Sequence, residues 1–232
     1  AEHIYREIIA NGTRNHFVYG NLGALTGLKG NNAEMIGLLK QALQIQPNYP
    51  EALCNLGTAF EKQGKLKDAI NSYKHAIKYK PNYPDALNNL GNAQRAQGDI
   101  DSAIYSYQKA IKLNPKYPDA LNNLGNAQKE QGDFEAAINS YQKAINLKSD
   151  FAQAHYNLAN IFSIKGNILS SIQSYKKAIS SAPNYSKAHF NLSLLQLLNS
   201  DYLSGWKNYE WRTKVLDNAI FYAQPQSQRW NG

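Results

Sequence analysis

One stretch of sequence returns along the chain at a fixed spacing. The segment PNYPEALCNLGTAFEKQGKLKDAINSYKHAIKYK begins at Pro47, and two close copies begin at Pro81 and Pro115. The same register continues less strictly at Ser149 and Pro183. Self-similarity at a fixed period of about 20 to 50 residues is typical of stacked repeats. Each repeat in such an array buries its apolar face against the next one and leaves a long surface exposed, so the period favours a binding protein.

Within one repeat, the apolar residues predict two helices. Leu87 and Gly91 share one face of a first helix that begins at Pro84. Ala103 and Ala110 lie on the apolar stripe of a second helix, where small side chains allow the two helices to approach closely. Between the helices stands a glycine, a residue that readily takes the left-handed conformation that ends a helix. These glycines are Gly30, Gly64, Gly98, Gly132 and Gly166. The pattern predicts an all-α fold of stacked antiparallel helix pairs.

The basic charge of the chain would suit a nucleic-acid partner, because basic patches attract phosphates. The net charge is +8, with 25 Lys and Arg against 17 Asp and Glu. Many of the lysines, however, fall late in the second helix of a repeat, where cations offset the negative end of the helix dipole. Arginine, which is best shaped for phosphate contacts, is scarce. We therefore expect no nucleic-acid partner.

The sequence contains few signals of targeting or of redox chemistry. No apolar run approaches the ~18 residues that a membrane helix needs, and the first residues do not have the pattern of a signal peptide. The single cysteine, Cys54, cannot form an intramolecular disulfide. We expect a cytoplasmic protein that has no membrane partner.

Candidate catalytic and metal-binding residues are few. His155 and His189 stand one repeat period apart on neighbouring first helices, and the sequence near them offers no further zinc ligands, so we interpret both as packing residues. Cys54 has no neighbouring base in sequence that would mark a nucleophile. The sequence contains no phosphate-binding loop and no Ser/His/Asp signature. It predicts a protein that is not an enzyme, with no metal site and no cofactor.

Asparagine keeps the repeat period more strictly than proline does. One asparagine stands in each first helix, namely Asn21, Asn55, Asn89, Asn123, Asn157 and Asn191. Three more asparagines lie three residues later and three acidic residues lie four residues earlier, on the same helical face. They are Asn92, Asn126, Asn160, Glu51, Asp85 and Asp119. A carboxamide offers a donor and an acceptor together, which matches the backbone of an extended peptide. We regard this face as a candidate peptide-binding site; the alternative is a structural role between adjacent repeats.

The chain resembles the tetratricopeptide repeat (TPR) family. The family motif places a bulky residue, Leu-Gly, an aromatic, Ala, an aromatic, Ala and Pro at fixed offsets. In the unit that starts at Pro50, these positions hold Leu53, Leu56, Gly57, Phe60, Ala69, Tyr73, Ala76 and Pro81. The resemblance implies an α-α superhelix, or solenoid, and a non-catalytic scaffold that binds an extended peptide or a partner protein in a concave groove.

The register of the motif predicts how the chain is organised. Residues 1–15 correspond to the second helix of a truncated repeat, and 16–185 to five full repeats of the usual TPR length, about 34 residues each. Residues 186–215 form a sixth, atypical repeat, and residues 216–232 form a C-terminal tail or a junction to a further domain. We expect that self-association could use the ends of the array or its convex face.

Two more specific resemblances bear on the partner. A similar asparagine ladder lines the groove of the TPR arm of O-linked N-acetylglucosamine transferase, with acidic residues placed like Glu51, Asp85 and Asp119. The segment 205–212, together with the later Trp230-Asn231-Gly232, resembles the junction between the helical arm and a glycosyltransferase-like domain in bacterial repeat proteins. These features imply an alternative, a substrate-recruiting arm of a larger transferase. The acidic residues disfavour a clamp for acidic chaperone tails, since like charges repel.

Overall fold

A computed structural model of the 232-residue chain describes residues 1–216. All regular elements in this range are α-helices, and the chain divides after Leu147 into two compact units. The first unit holds α1 (Glu2–Ala10), α2 (His16–Leu28), α3 (Asn32–Ile45), α4 (Pro50–Lys62), α5 (Leu66–Tyr79), α6 (Pro84–Ala96), α7 (Ile100–Leu113), α8 (Pro118–Gln131) and α9 (Phe134–Leu147). The second holds α10 (Ala152–Ile164), α11 (Ile168–Ser181), α12 (Ser186–Leu198), α13 (Tyr202–Tyr209) and α14 (Arg212–Leu216).

The helices pack as consecutive pairs, each made of a first and a second helix joined by a tight turn. The pairs are α2 with α3, α4 with α5, α6 with α7 and α8 with α9 in the first unit, and α10 with α11 and α12 with α13 in the second. The predicted all-α fold of helix pairs is therefore confirmed. Within the described residues, no helix is long and apolar enough to cross a lipid bilayer.

The turn between the two helices of a repeat contains the predicted left-handed glycine. Gly98 adopts a φ of 90°, in the left-handed region that side chains with a Cβ rarely enter. Asp99 follows it and accepts a hydrogen bond from the backbone N–H of Ser102, which caps α7. In the last pair, Ser200 takes the left-handed position with a φ of 60°. Asp201 then caps α13 in the same way.

The close approach of the helices in a pair depends on a glycine that faces a tyrosine. A Cβ placed on Gly91 would lie 2.6 Å from Cε1 of Tyr107. Gly57 meets Tyr73, and Gly125 meets Tyr141, at the same distance. Each of these tyrosine rings is fully buried. The ring fills the space left by the missing side chain, and this contact fixes which face of the first helix points away from its pair.

Successive repeats within each unit share apolar cores. In the first unit, Tyr73 and Ala76 of α5 pack with Leu90 of α6, and the partly buried Tyr83 covers this core. In the second unit, Tyr175 packs with Leu192, and Tyr185 covers that core. The aromatic residue that precedes each of these first helices is therefore a packing residue.

Candidate functional site

The asparagine row lies on the first helices, on the side that the glycine contact turns away from the second helix. In the first unit, Asn55, Asn89 and Asn123 occupy α4, α6 and α8, and each is partly exposed. In the second unit, Asn191 is also partly exposed. Asn157 differs, because only 4% of its surface is accessible. The sequence predicts a uniform polar row, whereas the structure gives its members different degrees of burial.

Several members of the row bond to a helix of the preceding repeat. Asn123 Nδ2 donates to Asn88 Oδ1 on the previous first helix at 3.0 Å. Asn191 Nδ2 donates to the Tyr156 hydroxyl at 3.3 Å in the second unit. At the start of the array, the exposed Asn21 donates through Nδ2 to the Tyr5 hydroxyl of α1, also at 3.3 Å. These bonds join adjacent repeats, so the structural role that the sequence left open is present at these positions.

Asn89 and Asn55 are less constrained. Asn89 Nδ2 lies 4.0 Å from Cys54 Sγ, a weak acceptor. For Asn55, the corresponding position of the previous first helix holds Gly20, which has no side chain that could accept a bond. Among residues 1–216, no side chain or backbone group forms a hydrogen bond with the Asn55 carboxamide. The Asn55 carboxamide can therefore donate to a ligand and accept from it without breaking a hydrogen bond within the described residues.

The asparagines three residues later are tied to the second helix of their own repeat. Tyr107 donates its hydroxyl to Asn92 Oδ1 at 2.8 Å, and this bond recurs in the two following repeats. The equivalent pairs are Tyr141 with Asn126 at 2.8 Å and Tyr175 with Asn160 at 2.5 Å. Sequence reasoning placed these asparagines on the open face but missed their tyrosine partners. The missed signal is a tyrosine that follows each asparagine at a constant spacing.

The tyrosines are reliable donors because they stay protonated. Burial raises the pKa of Tyr107 and Tyr141 well above the ordinary tyrosine value. Burial likewise raises the pKa of Tyr175, to about 12. With the hydroxyl proton committed to Oδ1, Asn92 keeps its Nδ2 hydrogens for other acceptors. The tyrosine bond thus both strengthens the helix pair and fixes the orientation of the asparagine.

The acidic residues at the start of the first helices differ in their partners. Glu51 accepts a bond from Lys80 Nζ at 2.7 Å, and this bond lowers the pKa of the Glu51 carboxyl. Asp85 is exposed; burial, and after it the neighbouring Asp85 carboxylate, raise the pKa of Tyr117. Asp119 is exposed. Negative charge is therefore available to a ligand mainly at the two aspartates.

Two buried asparagines that the sequence analysis did not single out also belong to this region. Asn88 and Asn122 have 6% and 5% of their surfaces exposed. Each stands one residue before a member of the row, in the register that holds Cys54 and Tyr156 in other repeats. Their recurrence at the repeat period is the sequence signal that would have found them. Buried amides of this kind need hydrogen-bond partners, and Asn88 finds one in Asn123.

The two histidines and the cysteine that are candidates for catalysis or metal binding have packing roles. Nε2 of His155 lies 2.9 Å from the carbonyl oxygen of Ser149, and Nε2 of His189 lies 2.9 Å from that of Pro183. Cys54 is buried, and burial raises the pKa of its thiol. Across the described part of the chain, no cluster of His, Cys, Asp and Glu has the geometry of a metal site. The face as a whole offers oriented amides and exposed carboxylates, which are groups suited to non-covalent binding.

Comparison with known proteins identifies the class to which this arrangement belongs. The family model for the TPR repeat matches residues 28–64, 60–98, 91–132 and 126–166, and a tetratricopeptide repeat model matches residues 152–185. The chain therefore belongs to the tetratricopeptide repeat family, as its motif indicates. No curated protein sequence matches it significantly.

Solved structures support the same conclusion. The crystal structure of MamA is 30% identical, aligns with 72% of this chain and 97% of its own, and has a TM-score of 0.64. YrrB, described as a TPR protein with an unusual peptide-binding site, is 19% identical over 81% of this chain and 97% of its own, with a TM-score of 0.65. PilF of Pseudomonas aeruginosa is 19% identical over 88% of this chain and 93% of its own, with a TM-score of 0.79.

Family membership sets the general function. TPR repeats generally mediate binding to proteins or peptides, and TPR proteins are generally non-catalytic scaffolds. The fold and the family thus support a protein–protein interaction scaffold.

Proposed function

We propose that the first helices of the unit 1–147 bind an extended segment of a partner protein through their asparagines. We call this surface the asparagine face and define it by Asn55, Asn89, Asn123, Asn92 and Asn126. The observation that carries the proposal is the tyrosine bond to Asn92, because it occupies Oδ1 and leaves the Nδ2 hydrogens for a ligand carbonyl. A partner held in this way is recognised mainly through its backbone.

The repeat spacing fits an extended peptide. Helices that pack against one another lie about 8–10 Å apart, and an extended chain rises about 3.3 Å per residue. Roughly every third residue of a peptide would therefore meet a new repeat and a new asparagine. Side-chain selection would come from Asp85 and Asp119, whose exposed carboxylates favour basic residues in the partner.

The affinity expected from such a face is modest. Each hydrogen bond contributes about 1 kcal/mol net, and ordering the peptide offsets part of the total. We expect a dissociation constant that is roughly micromolar.

Selection from a phage-displayed library of linear peptides, followed by anisotropy titration of a selected peptide, tests the proposal. Asn89→Ala and Asn123→Ala should weaken that peptide's binding, whereas Asn71→Ala, on the exposed side of α5, should not. If all three variants bind the peptide as tightly as the unsubstituted chain does, the peptide binds elsewhere. Light scattering at several concentrations separates binding from self-association through the ends or the convex face.

A second candidate is the substrate-recruiting arm of a larger glycosyltransferase-like enzyme. It rests on the resemblance of segment 205–212 to a domain junction. In the second unit, a Cβ on Gly205 would lie 2.7 Å from Leu197 Cδ2, and Trp211 stacks on His189, so both residues also have packing roles. Trp230, the other part of the resemblance, lies outside the described residues. Reading the gene beyond Gly232 tests this candidate, and an immediate stop codon would contradict it.

A further inference from the structure

Hydrogen bonds of fixed direction converge on His189 in the second unit. The chain of bonds begins at Asp201, whose ionised carboxylate can only accept. Gln196 Nε2 lies 3.2 Å from Asp201 Oδ2, so the amide oxygen of Gln196 faces the other way. That oxygen accepts from Asn208 Nδ2 at 2.8 Å. Asn208 must therefore present Oδ1, an acceptor, to His189 Nδ1, which lies 2.8 Å away.

The other ring nitrogen of His189 also faces an acceptor. Nε2 lies 2.9 Å from the carbonyl oxygen of Pro183, which has no proton to donate. A neutral imidazole carries a proton on one nitrogen only, so one of these two contacts would then bring two acceptors together. The imidazolium form, with a proton on each nitrogen, satisfies both.

We propose that protonation of His189 latches α13 and the turn that follows it onto α12. The latch consists of His189, Asn208, Gln196 and Asp201, and it ties α13 to α12 through Asn208. The latched state binds one more proton than the released state. The latch is therefore complete at acidic pH and weakens at higher pH, where imidazole is neutral.

The aromatic surroundings of His189 favour a cation. The ring of Trp211 stacks on the imidazole with centroids 4.2 Å apart and planes tilted by 4°. An indole face attracts a cation, so this stack is stronger with imidazolium than with neutral imidazole. Because Trp211 stacks on His189, its fluorescence emission can report the state of the latch.

The charged groups around the latch partly oppose one another. Asp201 supplies negative charge at the far end of the bond chain. Lys214 Nζ lies 4.0 Å from the Trp211 ring, and Arg212 bonds to Glu210. The remaining cations on α11, α12 and α13 are exposed and hence screened by water; they are Lys176 and Lys177 on α11, Lys187 on α12 and Lys207 on α13. The proposal rests on the two directional contacts of His189, because only the protonated ring donates to both acceptors.

The repeat provides matched controls for this inference. His155 holds the equivalent position one repeat earlier, and its Nε2 faces the carbonyl of Ser149, which a neutral imidazole satisfies. In the first unit the same register holds Leu53, Leu87 and Leu121. His189→Leu therefore introduces the residue that earlier repeats carry, and His155→Leu makes the same change where no latch exists.

The test follows Trp211 emission in the full chain with Trp206→Phe and Trp230→Phe, from about pH 5 to about pH 8, the range in which histidine titrates. Imidazolium quenches a stacked indole, so emission should rise with pH. Amide exchange in α13 should also become faster relative to α11. His155→Leu should retain both changes and His189→Leu should lose them, with far-UV circular dichroism confirming that each variant is folded.

Two results would overturn the latch. One is a Trp211 emission that does not change with pH in the chain that retains His189. This result does not depend on any substitution of His189. The other is the same pH response in folded His189→Leu, which would show that another group causes it.

Discussion

Tyr107 on α7 donates its hydroxyl to Asn92 on α6, across the two helices of one repeat, with an O–O distance of 2.8 Å. The bond passes beside Gly91, the residue against which the tyrosine ring packs. One side chain therefore both closes the helix pair and orients a polar group on the open face. Stability and binding are linked at this position, and they can be separated by experiment.

Tyr107→Phe should keep the ring packing and lose the hydroxyl. We expect a loss of about 1 kcal/mol of unfolding free energy, the usual net value of one hydrogen bond. For a chain of this size, that corresponds to about 2–4 °C in melting temperature. Circular dichroism measures it. Tyr105→Phe on the same helix is the control, because Tyr105 is 59% exposed and should give no change.

Gly91→Ala should destabilise the fold although alanine favours helices. The new methyl group would meet Cε1 of Tyr107 at 2.6 Å, and overpacking of this kind costs about 1–3 kcal/mol. Gly37→Ala on α3 is the matched control, since nothing lies within 4 Å of its Cβ. There the substitution should stabilise by about 0.5–1 kcal/mol. Melting curves that shift in the same direction for both variants would contradict this packing.

The chain should lose stability in alkaline solution. Burial raises the pKa of Tyr175 and of Tyr185 to about 12. The unfolded chain releases these protons near the ordinary tyrosine value of about 10. The folded state therefore binds more protons between these values, and its stability falls as pH rises through them. Denaturant unfolding at a series of alkaline pH values measures the slope, and Tyr185→Phe should make it shallower.

The sequence predicts the repeat well because the determinants of each helix pair are local. Gly98 and Asp99 specify a turn through backbone conformation and capping, which neighbouring residues largely decide. The bond between Asn123 and Asn88 depends instead on how one first helix is rotated against the next. Spacing alone cannot show that rotation, so the sequence could not decide between a ligand-binding and a structural role.

The same reason explains why members of one sequence row differ. Asn157 is buried in the second unit, and Asn55 in the first has Gly20 where other repeats have an acceptor. The partner of each asparagine is a residue on another helix, and the period of the row says nothing about that residue. Tyrosine partners were missed for the same reason, although their regular spacing was visible.

Two members of the row should differ in whether stability and peptide binding change together. Asn123→Ala leaves the buried Oδ1 of Asn88 without its donor, and an unsatisfied buried group costs about 1–3 kcal/mol. Its melting temperature should therefore fall together with its peptide affinity. Asn55→Ala removes a carboxamide that has no bond to lose within the described part of the chain.

The most direct test of the asparagine face is the affinity of Asn55→Ala for a library-selected peptide, measured beside its melting temperature. The proposed function predicts an unchanged melting temperature and an affinity about fivefold weaker, the equivalent of one hydrogen bond. An unchanged affinity at an unchanged melting temperature would contradict it, because the most available carboxamide of the face would then not contact the peptide.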